Sequence, residues 1–533
     1  SVVDVVNYGV QQFARQEAFY NMGRALSYQE VGQLSDQIAS YLQNVLKLPR
    51  GERVAIMMPN ILQYPVAVFG ILKAGLVVVN TNPLYTPREL EHQLNDSGAG
   101  TIIVLENFAN TLELVLPRTQ VKNVIIAKVG DMFGTIKGGI MNFVLRHIKK
   151  MVPGYHIANA IPFKEVLAQG AKQPFAPVDL TREDLAFLQY TGGTTGVAKG
   201  AMLTHGNICA NMLQGGEWIK HKLTPGQETV IAALPMYHIF ALTVNLLLFF
   251  QAGAKSILIT NPRDLDGFIE ELKKHPVSVF IGLNTLFRGL LNKPAFHQVN
   301  FSTWKLSLGG GMATQQAVAE EWFKTVGIPV VDAYGLTEAS PGVCVNPLNV
   351  KDYSGGIGLP LPNTEIQLRD GRGGEGAVGE SGELWIRGPQ VMRGYWNRPD
   401  ETAKVIDQDG WLETGDIAMM DERGWLKIVD RKKDLIVVSG FNVYPNEIED
   451  VVASHAKVQE VACVGVKSDK TGEALKLFVV KKDASLTSDE LIEYCRTQLT
   501  GYKIPRDIEF RDELPKSNVG KILRRELRKE AEQ

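Results

Sequence analysis

Residues 35–58 read SDQIASYLQNVLKLPRGERVAIMM, a helical stretch followed by a short apolar run. The same alternation of helical stretches and β-branched runs continues to about residue 332. The further runs are LVVVN (76–80), TIIVL (101–105), NVIIA (123–127), TVIAA (229–233), SILIT (256–260), VSVFI (277–281) and IPVVD (328–332). Buried strands that alternate with helices predict an α/β protein with a largely parallel sheet covered by helices.

The pattern changes twice in the last third of the chain. From about 355 to 430, segments such as TEIQLRD (364–370) are separated by Gly-rich turns, which indicates antiparallel strands or a small distorted β-barrel. After the basic junction DRKKDLI (430–436), helices and strands mix again, as in a small α+β domain. We predict an N-terminal domain of layered α/β subdomains over residues 1–430, which includes this β subdomain, and a small mobile C-terminal domain over 431–533.

Composition narrows the class of protein. A chain of 533 residues is too long for one core, and 45% hydrophobic with 21% charged residues is typical of a soluble globular protein. The formal net charge of −2 argues against a nucleic-acid partner. The four cysteines show no C-x-x-C pairing, so we expect reduced thiols in a cytoplasmic protein rather than a zinc site or disulfides. The oligomeric state stays open, with a homodimer as one alternative.

Residues 190–200 read YTGGTTGVAKG, which combines glycines, hydroxyl side chains and one lysine. The P-loop of NTPases is excluded because Ala198 precedes Lys199 and Gly200 follows it, so no Ser or Thr stands after the lysine. An ordinary glycine turn is the alternative. Interleaved threonines favour an anion-binding loop instead, since backbone N–H groups and hydroxyls can both face a phosphate. The candidate residues are Thr191, Gly192, Gly193, Thr194, Thr195, Gly196 and Lys199.

Two more candidate loops follow predicted strands. They are SLGGGM at 307–312 and DAYGLTE at 332–338. In open α/β sheets, ligands bind beyond the carboxyl ends of the strands, which makes both loops candidates for one site. The alternatives are tight packing for the three glycines and a solvated loop position for Glu338.

Three later motifs follow these loops in the chain. Together the loops and motifs resemble those of a known family. The later motifs are GWLETGD (410–416), DRKKDLIVVSGFNVYPNEIE (430–449) and PKSNVGKILRREL (515–527). In order and spacing the set resembles the adenylate-forming superfamily of acyl-CoA synthetases, non-ribosomal peptide synthetase adenylation domains and firefly luciferase. The stretch DGWLETGDIAMMDERGWLKIVDRKK (409–433) is similar to the signature of fatty acyl-CoA synthetases, with the bacterial long-chain fatty acid:CoA ligases as the nearest branch. Gly193 and Ala198 depart from the commonest pattern, in which serine and proline stand there.

The resemblance implies an AMP-forming acid–thiol ligase. Such an enzyme activates medium- to long-chain fatty acids with ATP and Mg²⁺ through acyl-AMP, releases AMP and pyrophosphate, and passes the acyl group to CoA for fatty acid degradation or lipid synthesis. Two alternatives stay open: an adenylation domain that loads a carrier protein, and a non-catalytic nucleotide sensor. No carrier module follows the motifs before Gln533, so we expect free CoA as the acceptor.

The resemblance also implies roles for individual residues. The 191–199 loop would hold the β- and γ-phosphates, Thr337 would contact the α-phosphate, and Glu338 would hold Mg²⁺. The residues implied at the adenosine of ATP or AMP are Gly309, Gly310, Gly311, Tyr334 and Gly335 at adenine, and Asp416 and Arg431 at the ribose.

Four further residues have implied roles on the acyl and CoA sides. Lys521 matches the lysine that bridges the carboxylate and the α-phosphate, although KILRRELRKE alone also reads as a solvated basic helix. Lys433 matches the hinge of a domain rotation, after which Gly440 would face the CoA channel. His238 is a candidate for the acyl pocket.

Membrane contact is a separate question. The N-terminus lacks the features of a signal peptide, and IFALTVNLLLFF (239–250) is too short to span a bilayer, so we expect a buried helix there. Within residues 131–152, an apolar side faces a basic one. The apolar residues are Ile136, Ile140, Phe143 and Val144, and the basic ones are Lys137, Arg146, Lys149 and Lys150. This helix is either an ordinary solvated helix or a peripheral contact at the inner face of the cell membrane.

Overall fold

The protein is described by a computed structural model that covers residues 1–191, 198–350, 352–370, 374, 376–439, 441–468, 470–517 and 520–531. A large N-terminal domain carries three β-sheets, and a smaller C-terminal domain carries a fourth.

The α-helices are numbered in chain order. They are α1 (Val2–Gln12), α2 (Tyr28–Ser40), α3 (Gln63–Lys73), α4 (Pro87–Ser97), α5 (Ala109–Val115), α6 (Thr135–Phe143), α7 (Phe163–Gly170), α8 (His205–Ile219), α9 (Ile239–Ala241), α10 (Phe249–Gln251), α11 (Leu265–Lys274), α12 (Asn284–Leu291), α13 (Gln316–Val326), α14 (Pro399–Val405), α15 (Pro445–Ala453), α16 (Ser488–Gln498) and α17 (Arg524–Ala531). Short π-helical segments extend α2 and α6 and join α9 to α10.

The strands are numbered in the same way. They are β1 (Glu17–Asn21), β2 (Arg24–Ser27), β3 (Arg53–Met57), β4 (Val77–Asn80), β5 (Thr101–Leu105), β6 (Asn123–Ala127), β7 (Ile161–Pro162), β8 (Leu185–Thr191), β9 (Lys199–Thr204), β10 (Thr229–Ala232), β11 (Lys255–Leu258), β12 (Val279–Gly282), β13 (Leu306–Gly309), β14 (Val330–Gly335), β15 (Gly342–Val345), β16 (Leu359–Pro360), β17 (Glu365–Arg369), β18 (Ser381–Arg387), β19 (Leu412–Met420), β20 (Leu426–Arg431), β21 (Ile436–Val438), β22 (Phe441–Val443), β23 (Val458–Ser468), β24 (Gly472–Lys481) and β25 (Asp507–Arg511).

Two mainly parallel sheets form the α/β part. The first has the order β7-β6-β5-β3-β4-β8-β9, and only the β8–β9 pair in it is antiparallel. The second has the order β16-β15-β14-β13-β12-β10-β11-β1-β2, with parallel pairing from β14 to β1 and antiparallel pairing at both ends. Strand–helix alternation is therefore confirmed. The sequence pattern gives no sign that the strands divide between two sheets.

The two later regions also form sheets where the sequence predicts strands. Strands β17 to β20 make an antiparallel sheet in chain order. Strands β21 to β25 make the sheet of the smaller domain, whose buried side chains pack with α15 and α16 into a separate core.

The most apolar segment of the sequence is a buried helix, as predicted. Residues Ile239–Gln251 run through α9, a π-helical stretch and α10, and Leu242, Leu246 and Phe249 are fully buried. His238 caps the N-terminus of this helix, because its side chain accepts a hydrogen bond from the backbone N–H of Phe240 at 3.4 Å.

Candidate active site

In the chain, the predicted phosphate loop lies between the paired strands β8 and β9. The register of this pair places Thr191 opposite Lys199. Gly192, Gly193, Thr194, Thr195 and Gly196 lie outside the described residues. The Lys199 ammonium forms an ion pair with Glu401 on α14 and lies 5.0 Å from the ring centroid of Tyr395.

Glu338 lies in a short turn, Thr337–Ala339, that follows β14. The Tyr395 hydroxyl donates a hydrogen bond to Glu338 Oε1 at 2.7 Å, and the Met392 backbone N–H donates to the Glu338 carbonyl at 2.7 Å. Burial raises the pKa of Tyr395, and the nearby Glu338 carboxylate raises it further. Within the described part of the chain, no three His, Cys, Asp or Glu side chains cluster as a metal site. A single carboxylate still suits Mg²⁺, which commonly takes one or two carboxylates together with substrate phosphates.

Tyr334, Asp416 and Arg431 form a second group. The Tyr334 hydroxyl donates to Asp416 Oδ2 at 2.5 Å, and Arg431 Nε lies 3.5 Å from Asp416 Oδ1. Strands β19 and β20 bring the last two together, because their register pairs Asp416 with Arg431. Burial and the Asp416 charge both raise the pKa of Tyr334, which therefore keeps its proton. The sequence predicts DAYGLTE as a loop, but β14 extends to Gly335 because it pairs with β15.

The glycines of SLGGGM are explained largely by close packing. A Cβ on Gly309 would come within 3.0 Å of Val330, Asp332 and Thr314, and one on Gly310 within 2.9 Å of the Phe240 ring. Gly311 has a φ of +79°, which favours glycine, although open space surrounds it. Gly335 also admits no side chain, because a Cβ there would lie 2.2 Å from the Pro341 carbonyl oxygen.

Lys521 comes from the smaller domain and reaches the same region. The loop before it touches the large domain where the Thr285 hydroxyl donates to the Gly520 carbonyl at 3.0 Å. Burial, together with the positive charge of Arg431, lowers the pKa of Lys521 to about 7, although the charge of Asp416 opposes the shift. Burial, with a contribution from Lys521, lowers the pKa of His238 to about 4. Lys521 precedes α17 and is not part of that basic helix.

The chain segment around Lys433 connects the two domains. Burial and the charge of Arg431 lower the pKa of Lys433 to about 8. Just before it, the buried Asp430 accepts a hydrogen bond from Asn446 N at 2.9 Å and lies 3.4 Å from Arg524 Nη1. Gly440, predicted for the CoA side, lies outside the described residues.

Sequence reasoning missed three residues that contact predicted site residues or the junction before Lys433. Tyr395 touches Glu338, Glu401 pairs with Lys199, and Arg524 on α17 pairs with Asp430 of the junction. Tyr395 lies in a Gly-Tyr-Trp stretch before Pro399, and nothing in that stretch points to Glu338. The contacts join residues from 57 to 202 positions apart, so local patterns carry no signal for them.

Several predicted residues that the structure describes therefore lie in one region rather than in separate cavities. Lys199 and Glu338 both contact Tyr395. Tyr334 lies on β14, four residues before Glu338 in the chain. Asp416 joins Tyr334 to Arg431, and its charge acts on Lys521. Such a set of hydroxyls, cations and carboxylates can bind a nucleoside and its phosphates.

Two family models of AMP-binding enzymes match this chain. Residues 7–396 match the family model described as AMP-binding enzyme, and residues 447–521 match the AMP-binding enzyme C-terminal domain. The chain belongs to the AMP-binding enzyme family.

The chain is also similar to individual CoA ligases. The chain is 58% identical over 531 residues to the long-chain-fatty-acid–CoA ligase of Escherichia coli O157:H7, covering 100% of this chain and 94% of that protein. A benzoate CoA ligase from Burkholderia xenovorans LB400 superimposes with a TM-score of 0.84 at 26% identity, covering 99% of each chain. The anthranilate CoA ligase AuaEII, in complex with anthranoyl-AMP, shares the fold with a TM-score of 0.88 at 24% identity, covering 99% and 97% of the two chains.

Proposed function

We propose that this protein is a long-chain fatty acid:CoA ligase that forms AMP. The carrying observation is 58% identity over 531 residues to a long-chain-fatty-acid–CoA ligase. Medium- to long-chain acids are the proposed substrates, for degradation or lipid synthesis.

The first step joins the fatty acid to AMP. A carboxylate oxygen attacks the α-phosphorus of ATP, the bond between the α-phosphorus and the bridging oxygen breaks, and pyrophosphate leaves. Negative charge collects on the phosphates, so fixed cations and donors provide the stabilisation. Lys199 and the 191–199 loop would hold the β- and γ-phosphates and Thr337 the α-phosphate, while Mg²⁺ held by Glu338 would neutralise charge on the phosphate oxygens.

The nucleoside and the acid need their own partners. Asp416 and Arg431 would bind the ribose, Tyr334 would stack on adenine, and Lys521 would bridge the acid and the α-phosphate. The second step replaces AMP: the CoA sulfur attacks the acyl carbon, its proton passes to solvent, and the acyl–phosphate bond breaks.

Lys521 cannot occupy the site during both steps, because the thiol must approach the same acyl carbon. We place the domain boundary between residues 430 and 431 and the hinge at Lys433. The contact between Thr285 and Gly520 supports reading the present arrangement as the one that makes acyl-AMP. Rotation about Lys433 would then bring Gly440 toward CoA, with His238 left beside the acyl chain.

One incubation tests the activity. With ATP, Mg²⁺, oleate and CoA we expect stoichiometric AMP and oleoyl-CoA. Formation of ADP would contradict the proposal, and so would a requirement for a carrier protein in place of CoA. Binding of ATP without any product, whether CoA or a carrier protein is supplied, would favour the nucleotide-sensor alternative.

A membrane surface is the proposed source of the acid. In and after α6, apolar side chains are 55 to 80% exposed: Ile136, Ile140, Phe143, Ile148 and Met151. Lys137, Lys149 and Lys150 are exposed beside them, and the β1–β2 turn at Gly23 lies next to the Lys137 ammonium. Arg146 does not belong to this basic set, because it pairs with Glu106 at 2.5 Å. Exposed apolar groups flanked by lysines suit an anionic lipid surface.

No described helix has both the length and the apolar character of a bilayer-spanning segment, so contact would be peripheral. Sedimentation with vesicles of phosphatidylglycerol and phosphatidylcholine tests it. Lys149→Glu with Lys150→Glu should weaken binding about 30-fold or more, since each basic residue near such a surface contributes about 1 kcal/mol. The control is Phe323→Ser with Lys324→Glu, an exposed apolar and basic pair on α13, the helix between β13 and β14. Equal binding by both double variants would contradict the proposal.

A further inference from the structure

Tyr395 touches both charged groups at the phosphate end of the site. Its hydroxyl donates to Glu338 Oε1 at 2.7 Å, while Lys199 Nζ lies 5.0 Å from its ring centroid. The side chain is only 8% exposed, so neither contact is a loose surface encounter. The roles set out above for Lys199 and Glu338 leave this tyrosine without one.

The backbone of Tyr395 is held against the phosphate-loop hairpin. Trp396 N donates to the Gly200 carbonyl at 2.8 Å, and Met202 N donates to the Gly394 carbonyl at 2.9 Å. Tyr395 N donates to the Thr402 hydroxyl at 2.9 Å on the other side. The Tyr395 ring therefore keeps a fixed position relative to β9, the strand that carries Lys199.

The hydrogen bond restrains Glu338 in a useful way. A carboxylate on a flexible side chain can rotate, and each rotation changes where its oxygens face. With Oε1 engaged by the Tyr395 hydroxyl, that rotation is restricted, so the second oxygen keeps one direction. Partners that orient a metal-binding carboxylate commonly contribute about 10- to 100-fold to metal affinity or activity.

The same tyrosine also faces the phosphate-side cation. A lysine ammonium over an aromatic face is attracted by the ring. Lys199 is held there by Glu401, which also accepts a hydrogen bond from Lys404 Nζ at 2.5 Å. Both Lys199 and Glu338 are thus placed relative to one ring.

We propose that Tyr395 is a positioning residue that orients Glu338 toward Mg²⁺ and fixes it relative to Lys199, so that the metal and phosphate ends of MgATP meet one preorganised unit. The inference rests on the proposed function, because it takes from there the role of Glu338.

The test compares ATP binding with Mg²⁺ and with EDTA, measured by calorimetry on the full chain. The quantity of interest is the ratio of the two affinities. Tyr395→Phe removes only the hydroxyl and should lower this ratio about 10-fold, while binding in EDTA stays at the wild-type value. Glu338→Gln should lower the ratio at least as far, and the double variant should be no worse than Glu338→Gln alone, since the two side chains act as one unit.

Tyr190→Phe is the matched control. Tyr190 is also 8% exposed, and its hydroxyl donates to a carboxylate, Asp96 Oδ2, at 2.8 Å, but that carboxylate is not Glu338. Any effect of this variant should be equal with Mg²⁺ and with EDTA. Thermal unfolding of each variant confirms that it folds.

The outcomes distinguish a failure of the inference about Tyr395 from a failure of the metal role proposed for Glu338. A lowered ratio in Glu338→Gln with a wild-type ratio in Tyr395→Phe overturns the inference about Tyr395 and leaves the proposed function standing. An equal loss in Tyr190→Phe also overturns it, because the effect would then be a general loss of packing. A wild-type ratio in Glu338→Gln overturns the metal role of Glu338, and the inference fails with it.

Discussion

At the scale of single residues, Lys521 joins the smaller domain to the chemistry. Its pKa of about 7 lies well below the ordinary lysine value, because the side chain is buried beside Arg431. Lys521→Ala should slow ATP–pyrophosphate exchange by a few hundred-fold, since one donor to the transition state contributes about 3 kcal/mol. Thioester formation from added acyl-AMP should be spared. Lys516→Ala is the matched control, because Lys516 lies in the same loop but pairs with Glu460 at 2.8 Å.

The lowered pKa of Lys521 predicts a proton-linked binding step. Above pH 7 the empty site holds this lysine mostly neutral. Phosphate oxygens nearby favour the charged ammonium and raise the pKa, so ATP binding should take up a proton at pH 8.5. Calorimetry in buffers of different ionisation enthalpy measures this uptake. The wild type should take up more protons than Lys521→Ala, and equal uptake in both would contradict the explanation.

Residue identities in the site could be predicted where a motif carries them. Tyr334, Glu338, Asp416 and Lys521 were predicted from motifs, and the structure brings them to one region, while their roles stay predictions. Tyr395 could not be found in this way, because its partner Glu338 lies 57 positions earlier and only the fold brings them together.

At the scale of elements, the junction between β20 and β21 connects the sheet of β17 to β20 with the sheet of the small domain. Asp430 ends the large-domain side of this junction, yet it accepts from Asn446 N and pairs with Arg524, both beyond the hinge. A rotation about Lys433 must therefore exchange these contacts. We propose that Asp430 acts as a latch for the arrangement that would make acyl-AMP.

Asp430→Asn should weaken that latch. A hydrogen bond to a charged group contributes about 1.5 kcal/mol, so acyl-AMP formation should slow roughly tenfold. Thioester formation from added acyl-AMP should be unchanged or faster. Asp421→Asn serves as control, because Asp421 lies in the exposed turn before β20 and pairs with Arg423 at 2.8 Å. Equal slowing of both half-reactions in Asp430→Asn would rule out a latch.

Elements were predictable where local periodicity decides them. Each β-branched run quoted from the sequence became a strand, and the apolar 239–250 segment became a buried helix. The extension of β14 through Tyr334 and Gly335 was not predictable, because it depends on antiparallel pairing with β15, which lies beyond the turn. The division of strands between two sheets has the same origin, since β1 pairs with β11 across more than two hundred residues.

At the scale of the whole molecule, residues from both domains meet at one place, and the site depends on their relative position. The large domain provides Lys199, Glu338 and Asp416, while the small domain provides Lys521 through a loop that contacts Thr285. This convergence was predicted from the resemblance of the ordered motifs to a known family, and neither composition nor periodicity predicted it. The hinge at Lys433 remains a prediction.

Lys433→Pro tests that hinge directly. Proline fixes φ near −65° and so limits the rotation that the second step requires. We expect acyl-CoA formation to slow more than acyl-AMP formation, with acyl-AMP accumulating on the enzyme in quenched single-turnover samples. Lys433→Ala removes the same charge but leaves the backbone free, so it should keep both rates in proportion. If Lys433→Pro and Lys433→Ala slow the two half-reactions alike, the effect comes from loss of the lysine side chain and not from restricted rotation. The hinge between the two domain positions must then lie at another residue.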